Sequence, residues 1–372
     1  MKFRFVNNAL RLIMVLNLVL ILTVAAVSQP AVEGLDAAIF RNLKWRNIGP
    51  ANMMGRVTDV EGVPGNPNIV YVGTASGGVW KTDNGGVTWT PIFDGQPVVS
   101  IGDIALEPGN PDVIYVGTGE SNVRNSVSYG RGIYKSTDGG KNWMFLGLEK
   151  TERISRIVIN PKNPRIVFVG ALGKAFGSNP ERGVYMSEDA GRNWKRVLYI
   201  DDTHGVADMD INPRNPNIVF AAMWRFERKP WTFVSGDTKG GVFRSIDGGM
   251  TWNKVTQGLP QLAGRIGIKV APSQPQVVYA VTESPEGTLY KSQDGGTRFE
   301  KISENVDIVS RGFYYSDLRV DPRDENRIYA VSSRLLLSID GGRSFKRISS
   351  STHVDFHALW IDPQNPSRMW QG

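Results

Sequence analysis

One octapeptide recurs six times in this chain: TDNGGVTW (82–89), STDGGKNW (136–143), SEDAGRNW (187–194), SIDGGMTW (245–252), SQDGGTRF (292–299) and SIDGGRSF (338–345). A second motif alternates with it in seven copies, about 41 to 59 residues apart, from VPGNPNIVYVGT (63–74) and EPGNPDVIYVGT (107–118) to DPRDENRIYAVS (321–332) and DPQNPSRMWQG (362–372). Repeats of that length built on short strands cannot each bury a core alone, so they stack into a ring or a solenoid. In the second unit, SIGDIALEP (100–108), VIYVGT (113–118), GIYKS (132–136) and NWMFLG (142–147) read as four strands, A to D, separated by Pro and Gly turns. Four-stranded units repeated radially predict an all-β propeller.

The octapeptide is then the turn between strands C and D. Its Asp carboxylate can accept backbone N–H groups of its own turn, and its glycines permit positive φ. Its Trp or Phe opens strand D and faces inward. Six copies at equivalent turns lie around a ring and cannot converge on one substrate. Asn84, Asp138, Asp189, Asp247, Asp294 and Asp340 are therefore assigned a structural role. Asn84 suits a turn and would not serve as a catalytic carboxylate. Seven copies of the second motif predict a seven-bladed β-propeller of four-stranded blades. The last blade is incomplete, and KWRNIG (44–49) is expected to act as an N-terminal strand that helps to close it. The sequence ends inside strand B of that unit, at Trp370-Gln371-Gly372, and reads as a piece of a longer protein.

The absence of Cys excludes disulfides and thiol chemistry. The formal charge of +7 includes Lys2, Arg4 and Arg11, and no basic run of the nucleic-acid-binding kind follows them. These three precede the apolar LIMVLNLVLILTVAAV (12–27), and Ala26-Val27-Ser28 offers small residues for cleavage. Residues 1–28 are expected to form a signal peptide, 29–40 a linker and 41–372 the propeller. An uncleaved membrane anchor is the alternative, although a segment interrupted by Asn17 is short for a span. The expected location is the periplasm, the cell surface or the medium.

Topology separates two faces. The A–B and C–D turns, short and stereotyped, share one; the B–C and D–A loops share the other. All irregular insertions fall on the second face: 119–132, 171–183, 199–208, 223–241 and 304–317. Long loops on a rigid frame are where binding resides. The B–C loops are long on blades 2 to 4 and short on blades 1, 5 and 6, which predicts a wall beside an open groove. Candidate binding residues are Arg124 and Tyr129 of blade 2, Trp224, Arg225, Arg228 and Trp231 of blade 4, and Arg311 and Tyr314 beside strand A of blade 6. Exposed aromatics stack on sugars or on partner side chains, and Arg pairs with carboxylates. A closed mini-core in the blade-4 loop and local hydrogen bonding in the others are the alternatives.

Five residues ahead of the first Pro of each second motif stand Asp59, Asp103, Arg156, Asp208, Gly267, Asp317 and Ala358. The four carboxylates either ring the central channel as a cation site or bond to the backbone of the next blade. The second role is expected, and no metal site is assigned. His204, His353 and His357 lack metal-ligand spacing as a set.

The octapeptides together with NPxxVYVGT resemble the BNR, or Asp-box, repeat proteins: sialidases, xyloglucanase-type glycoside hydrolases, the sortilin luminal domain and photosystem II assembly-factor-like propellers. WRNIGPANMMGRV, VGTGESNVRNSVSYGRGIYKSTDGGKNW and RGFYYSDLRVDP resemble large exported bacterial proteins called glycosyl hydrolase or sortilin-like. The sialidase FRIP motif is absent. The xyloglucanase resemblance implies a catalytic Asp in the stretch that matches residues 74–81, where Ala75 stands in its place, and a second acid from a second propeller. A glycosidase needs two carboxylates at a defined separation, and Glu120 with Asp201, Asp202 or Asp237 is the candidate set. The expected function is binding of carbohydrate or protein through the loop face, with no cofactor, no nucleic acid and no membrane contact beyond an uncleaved N-terminal segment. A xyloglucanase-like hydrolase needing a missing C-terminal part and a sortilin-like peptide-binding or assembly factor stay open beside it.

Overall fold

A computed structural model describes residues 55–124, 126–348 and 352–372. The expected signal segment, the linker and the KWRNIG strand lie outside the described residues. Six antiparallel sheets succeed one another along the chain, each in the order A-B-C-D. Blade 1 comprises Val57–Gly62, Val70–Thr74, Val79–Thr82 and Thr90–Pro91. Blade 2 comprises Ile101–Glu107, Asn110–Thr118, Ile133–Ser136 and Met144–Phe145, and blade 3 Ile154–Ile159, Val167–Ala171, Gly183–Ser187 and Lys195–Leu198. Blade 4 comprises His204–Ile211, Val219–Lys229, Gly241–Ser245 and Asn253–Lys254; its long strand B runs past the sheet and folds back on an extra strand, Thr232–Ser235. Blade 5 comprises Ile266–Val270, Val278–Thr282, Leu289–Ser292 and Glu300–Ser303, and blade 6 Asp317–Asp321, Asp324–Val331, Leu335–Ser338 and Lys346–Arg347.

The seventh repeat forms only a two-stranded hairpin, Leu359–Ile361 with Met369–Gln371. The seven-bladed expectation is therefore corrected: among the described residues the propeller has six four-stranded blades. The second motif encodes strands A and B alone, whereas a full blade also needs strands C and D and the octapeptide between them. That turn occurs six times, so it counts the blades.

Apolar side chains fill each space between neighbouring blades. Strand B is covered on both sides: all five residues of Val167–Ala171 and of Val278–Thr282 are buried. Phe220 and Val242 of blade 4 meet Ile268 and Val278 of blade 5, and the same layering recurs from blade 1 to blade 6. The hairpin closes the ring. Leu359 and Ile361 pack on Tyr329 and Val331 of blade 6, and Ala358 packs on Val60 and Val70 of blade 1. Outer strands D are short and carry Pro91, Lys195, Lys254, Lys301 and Lys346, which discourage pairing with another chain at the exposed edge.

The octapeptide turn is held from within. Asp138 Oδ1 accepts the N–H of Lys141 at 3.0 Å and of Asn142 at 2.9 Å, and Ser136 Oγ donates to it at 2.8 Å. Gly139 and Gly140 adopt φ of 71° and 90°, which a side chain would strain. The turn is also tied to the neighbouring A–B turn, where the Asp112 carbonyl accepts the Gly139 N–H at 2.9 Å. Asn84 accepts the Thr88 N–H at 2.9 Å through its amide oxygen, so a neutral side chain serves at that position.

Candidate functional site

The ring centre is filled by charge. Strands A lie innermost, and their repeated position points side chains towards the channel. Asp59 accepts the Ile104 N–H at 2.8 Å, Asp103 the Ile157 N–H at 2.6 Å and Asp208 the Ile268 N–H at 3.0 Å, each from the strand A of the next blade. Arg156 spans two of them, 2.9 Å from Asp103 and 2.8 Å from Asp208. Lys269 also bonds Asp208, and Arg319 bonds Asp317. Burial raises Asp59, against the pull of Arg156. Asp208 sits below the usual carboxylate range in spite of its burial, because Lys269 and Arg156 face it. On the loop side the channel narrows to a cavity of about 20 Å³, room for about one water and not for a sugar. Among the described residues, no group of three or more His, Asp or Glu side chains suits a metal ion.

Buried arginines build the loop face. Arg182, fully buried, donates to the carbonyls of Lys174 and Thr203 at 2.7 Å, Gly177 at 3.1 Å and Phe226 at 3.2 Å, joining the 171–183, 199–208 and 223–241 segments. Desolvation lowers its guanidinium to about 10. Arg265 donates to the Tyr314 carbonyl at 3.2 Å and to Asn122 Oδ1 at 3.0 Å, linking the blade-2 loop to the entry of blade 6.

The candidate acids fall into two groups. Glu120 is fully buried and paired in a fork with Arg56, at 2.5 and 2.7 Å. Asp201 and Asp237 are brought together by His204, a residue to which the sequence reading gives no role. Asp202 stands beside Asp201, and its carbonyl accepts the Asn179 N–H at 2.8 Å.

The candidate binding residues divide by exposure. Trp224 is fully buried and donates to Ser235 Oγ at 3.0 Å, whereas Trp231 at the tip of the blade-4 hairpin is 80% exposed. Arg225 lies 3.7 Å from Asp237, and Arg228 covers the Phe233 ring at 5.3 Å. Arg124 lies over the Tyr314 ring at 5.4 Å and reaches its hydroxyl at 3.4 Å. Tyr314 itself is buried against Tyr315 and His357. Tyr129 is 64% exposed, and Phe176 and Tyr199 join it as exposed aromatics on the loops of blades 2 and 3. Beside this wall lies a groove of about 670 Å³ over blades 5 and 6, lined by Ser235, Leu262, Ser284, Val306, Arg311 and Phe313 among others.

Residues 240–369 match the family model for sortilin, neurotensin receptor 3. A xyloglucanase from Paenibacillus sp. is 23% identical over 85% of this chain and 33% of its own length. The crystal structure of a GH74 enzyme from Niastella koreensis superposes with a TM-score of 0.60 at 19% identity, over 85% of this chain and 51% of that one. This chain is a β-propeller similar to sortilin over residues 240–369 and to xyloglucanases over most of its length. The propeller also shares its fold with YCF48 bound to D1 peptide, at a TM-score of 0.55 and 13% identity, over 85% of this chain and 90% of that one. It spans 33% of the Paenibacillus relative, so the activity of the whole enzyme does not transfer with the match.

Two kinds of residue in this propeller escape sequence reasoning. Arg182 and Arg265 look like ordinary loop charges, and no local pattern marks them as buried. His204 does carry a local signal, since Asp201 stands three residues before it, but its second partner, Asp237, is 33 residues away.

Proposed function

We propose that this protein is an exported propeller that binds carbohydrate through its loop face, with the groove over blades 5 and 6 as the seat and the aromatic-bearing loops of blades 2 to 4 as its wall. The observation that carries this reading is the pairing of a 670 Å³ groove with a neighbouring wall that exposes Tyr129, Phe176, Tyr199 and Trp231. Aromatic faces and a few polar groups in a long groove suit a sugar chain. Xyloglucanase relatives make a plant-type β-glucan the first ligand to try. Binding is favoured over hydrolysis because the candidate acids are already engaged: Glu120 by Arg56, and Asp201 and Asp237 by His204. Export is supported by the basic start and the apolar run at 12–27, and N-terminal sequencing of the mature protein tests it.

Affinity electrophoresis on xyloglucan and other β-glucans, with a parallel reducing-sugar assay, tests the binding reading. Retardation without turnover is expected, weakened by Trp231→Ala and Arg311→Ala. Turnover abolished by Glu120→Gln would replace it with the glycoside hydrolase. Peptide binding is the second reading, suggested by the neighbour solved with a bound peptide over nearly its whole length. Capture of peptides at the same face, with no retardation on any glucan, would establish it.

A further inference from the structure

We propose that Glu283 is the ligand-anchoring carboxylate of the groove over blades 5 and 6, and that it makes the groove select neutral sugar chains over acidic ones. This rests on the carbohydrate reading of that groove and names the class of chain it takes. Glu283 follows strand B of blade 5 directly and is half-buried in the groove lining. Its backbone is pinned in both directions. Its N–H donates to the Arg265 carbonyl at 2.9 Å, and its carbonyl accepts the Gly264 N–H at 2.7 Å.

The carboxylate has a fixed half and an open half. Oε2 accepts the Arg265 N–H at 3.1 Å and the Ser235 hydroxyl. That hydroxyl is itself oriented, because Ser235 Oγ accepts the Trp224 indole N–H at 3.0 Å and keeps its own proton for Glu283. Two glycines make room for the side chain. A Cβ on Gly264 would collide with Oε2, and one on Gly312 would stand 2.5 Å from Glu283 Cβ. Neither glycine has the positive φ that would call for glycine on backbone grounds. Oε1, by contrast, meets no donor among the described residues.

The other hydroxyls of the lining are engaged within the protein. Ser284 donates to the Leu262 carbonyl at 2.9 Å, Thr288 to the Asn305 carbonyl at 3.1 Å and Ser310 to Ser333 Oγ at 2.8 Å. The charged lining residues are Glu283, Asp307 and Arg311, two acids against one base, and the last two are exposed to solvent. Glu283 is thus the one held rigidly. An acceptor already fixed in place loses little side-chain freedom when a sugar hydroxyl donates to it, and a charged acceptor makes the stronger bond. A uronic acid brings a second negative charge to the same oxygen and is repelled.

Glu283→Gln separates charge from shape. The Arg265 N–H and the Ser235 hydroxyl hold the amide oxygen on the inner side, so the NH2 group faces the groove and an acceptor becomes a donor. Affinity electrophoresis of both proteins on a β-glucan and on its carboxymethylated form is the test. The wild type is expected to bind the neutral polymer about tenfold more tightly than the charged one. Glu283→Gln should bind the neutral polymer about tenfold more weakly, the loss of a bond to a charged group, and show no preference between the two. A wild type that binds glucan while Glu283→Gln matches it on both polymers, or one that prefers the carboxymethylated form, overturns the role of Glu283 and leaves the carbohydrate reading standing. A wild type retarded by neither polymer overturns both. Should Glu283→Gln not fold, Ser235→Ala decides, because it loosens the carboxylate and keeps its charge. Weaker binding of the neutral polymer with the preference retained is expected, and unchanged binding overturns the proposal.

Discussion

The indole Nε1–H of Trp143 donates to the carbonyl of Ile92 at 2.7 Å, fastening the octapeptide turn of blade 2 to the outer strand of blade 1. Trp194 repeats the contact one blade on, with Leu146 at 2.8 Å. Trp143 also meets Phe93 edge to face at 5.0 Å. Trp143→Phe keeps the ring and removes only the bond, so a loss of about 1 kcal/mol is expected. Trp143→Ala removes both and should cost about 3 kcal/mol. Urea midpoints at an unchanged slope measure the two.

The octapeptide carboxylates give the fold an acid limit. Hydrogen bonds from the side chain and then the backbone of Asn142 lower Asp138 to about 2, and equivalent bonds do the same for Asp189 and Asp247. An acid with a depressed folded value stabilises above its unfolded value, about 3.9, and loses that contribution as the pH falls towards 2. Stability should therefore be flat from pH 6 to 5 and fall steeply below about pH 4. In Asp138→Asn the descent should be shallower, because an amide can hold this turn as Asn84 does in blade 1. Thermal melts across that range supply the test.

The central network should be intolerant of single deletions. Asp208 is buried and bonded to Arg156, Lys269 and the Ile268 N–H. Asp208→Ala strands two cations in the channel and should cost about 3 to 5 kcal/mol. A variant of near wild-type stability would show that water already reaches these groups.

The two blade-4 tryptophans should respond in opposite ways. Trp224→Ala empties a fully buried site beside Phe226 and is expected to cost about 3 to 5 kcal/mol. Trp231→Ala, at an exposed tip, should leave the melting temperature unchanged and weaken glucan retardation several-fold. Calorimetry and affinity electrophoresis on the same samples read both.

Strand order and the turns were legible because they rest on local chemistry: β-branched runs, NP corners, and an Asp-Gly-Gly that closes on itself. Blade number was misjudged because the second motif can end in a bare hairpin, as at Leu359–Gln371, while the octapeptide cannot occur without a strand on either side. The loop face resisted reading for a different reason. Trp224 and Trp231 stand seven residues apart in one aromatic-rich segment, and only the fold separates a buried anchor from an exposed ring. His204 and Arg182 find their partners across loops, and no periodicity announces such meetings.

Closure of the ring sets an order on how the molecule is made. Gly65, in the first A–B turn, donates its N–H to Asp362 at 3.2 Å across 297 positions of sequence, and Trp89 meets Trp370 edge-on at 6.2 Å. Neighbouring blades can dock as they emerge from the ribosome, but this seam cannot set until the hairpin of Leu359–Ile361 and Met369–Gln371 has been synthesised. Until then the apolar flank of blade 1 stays uncovered while five further blades are made, and that flank is where a chaperone has most to protect.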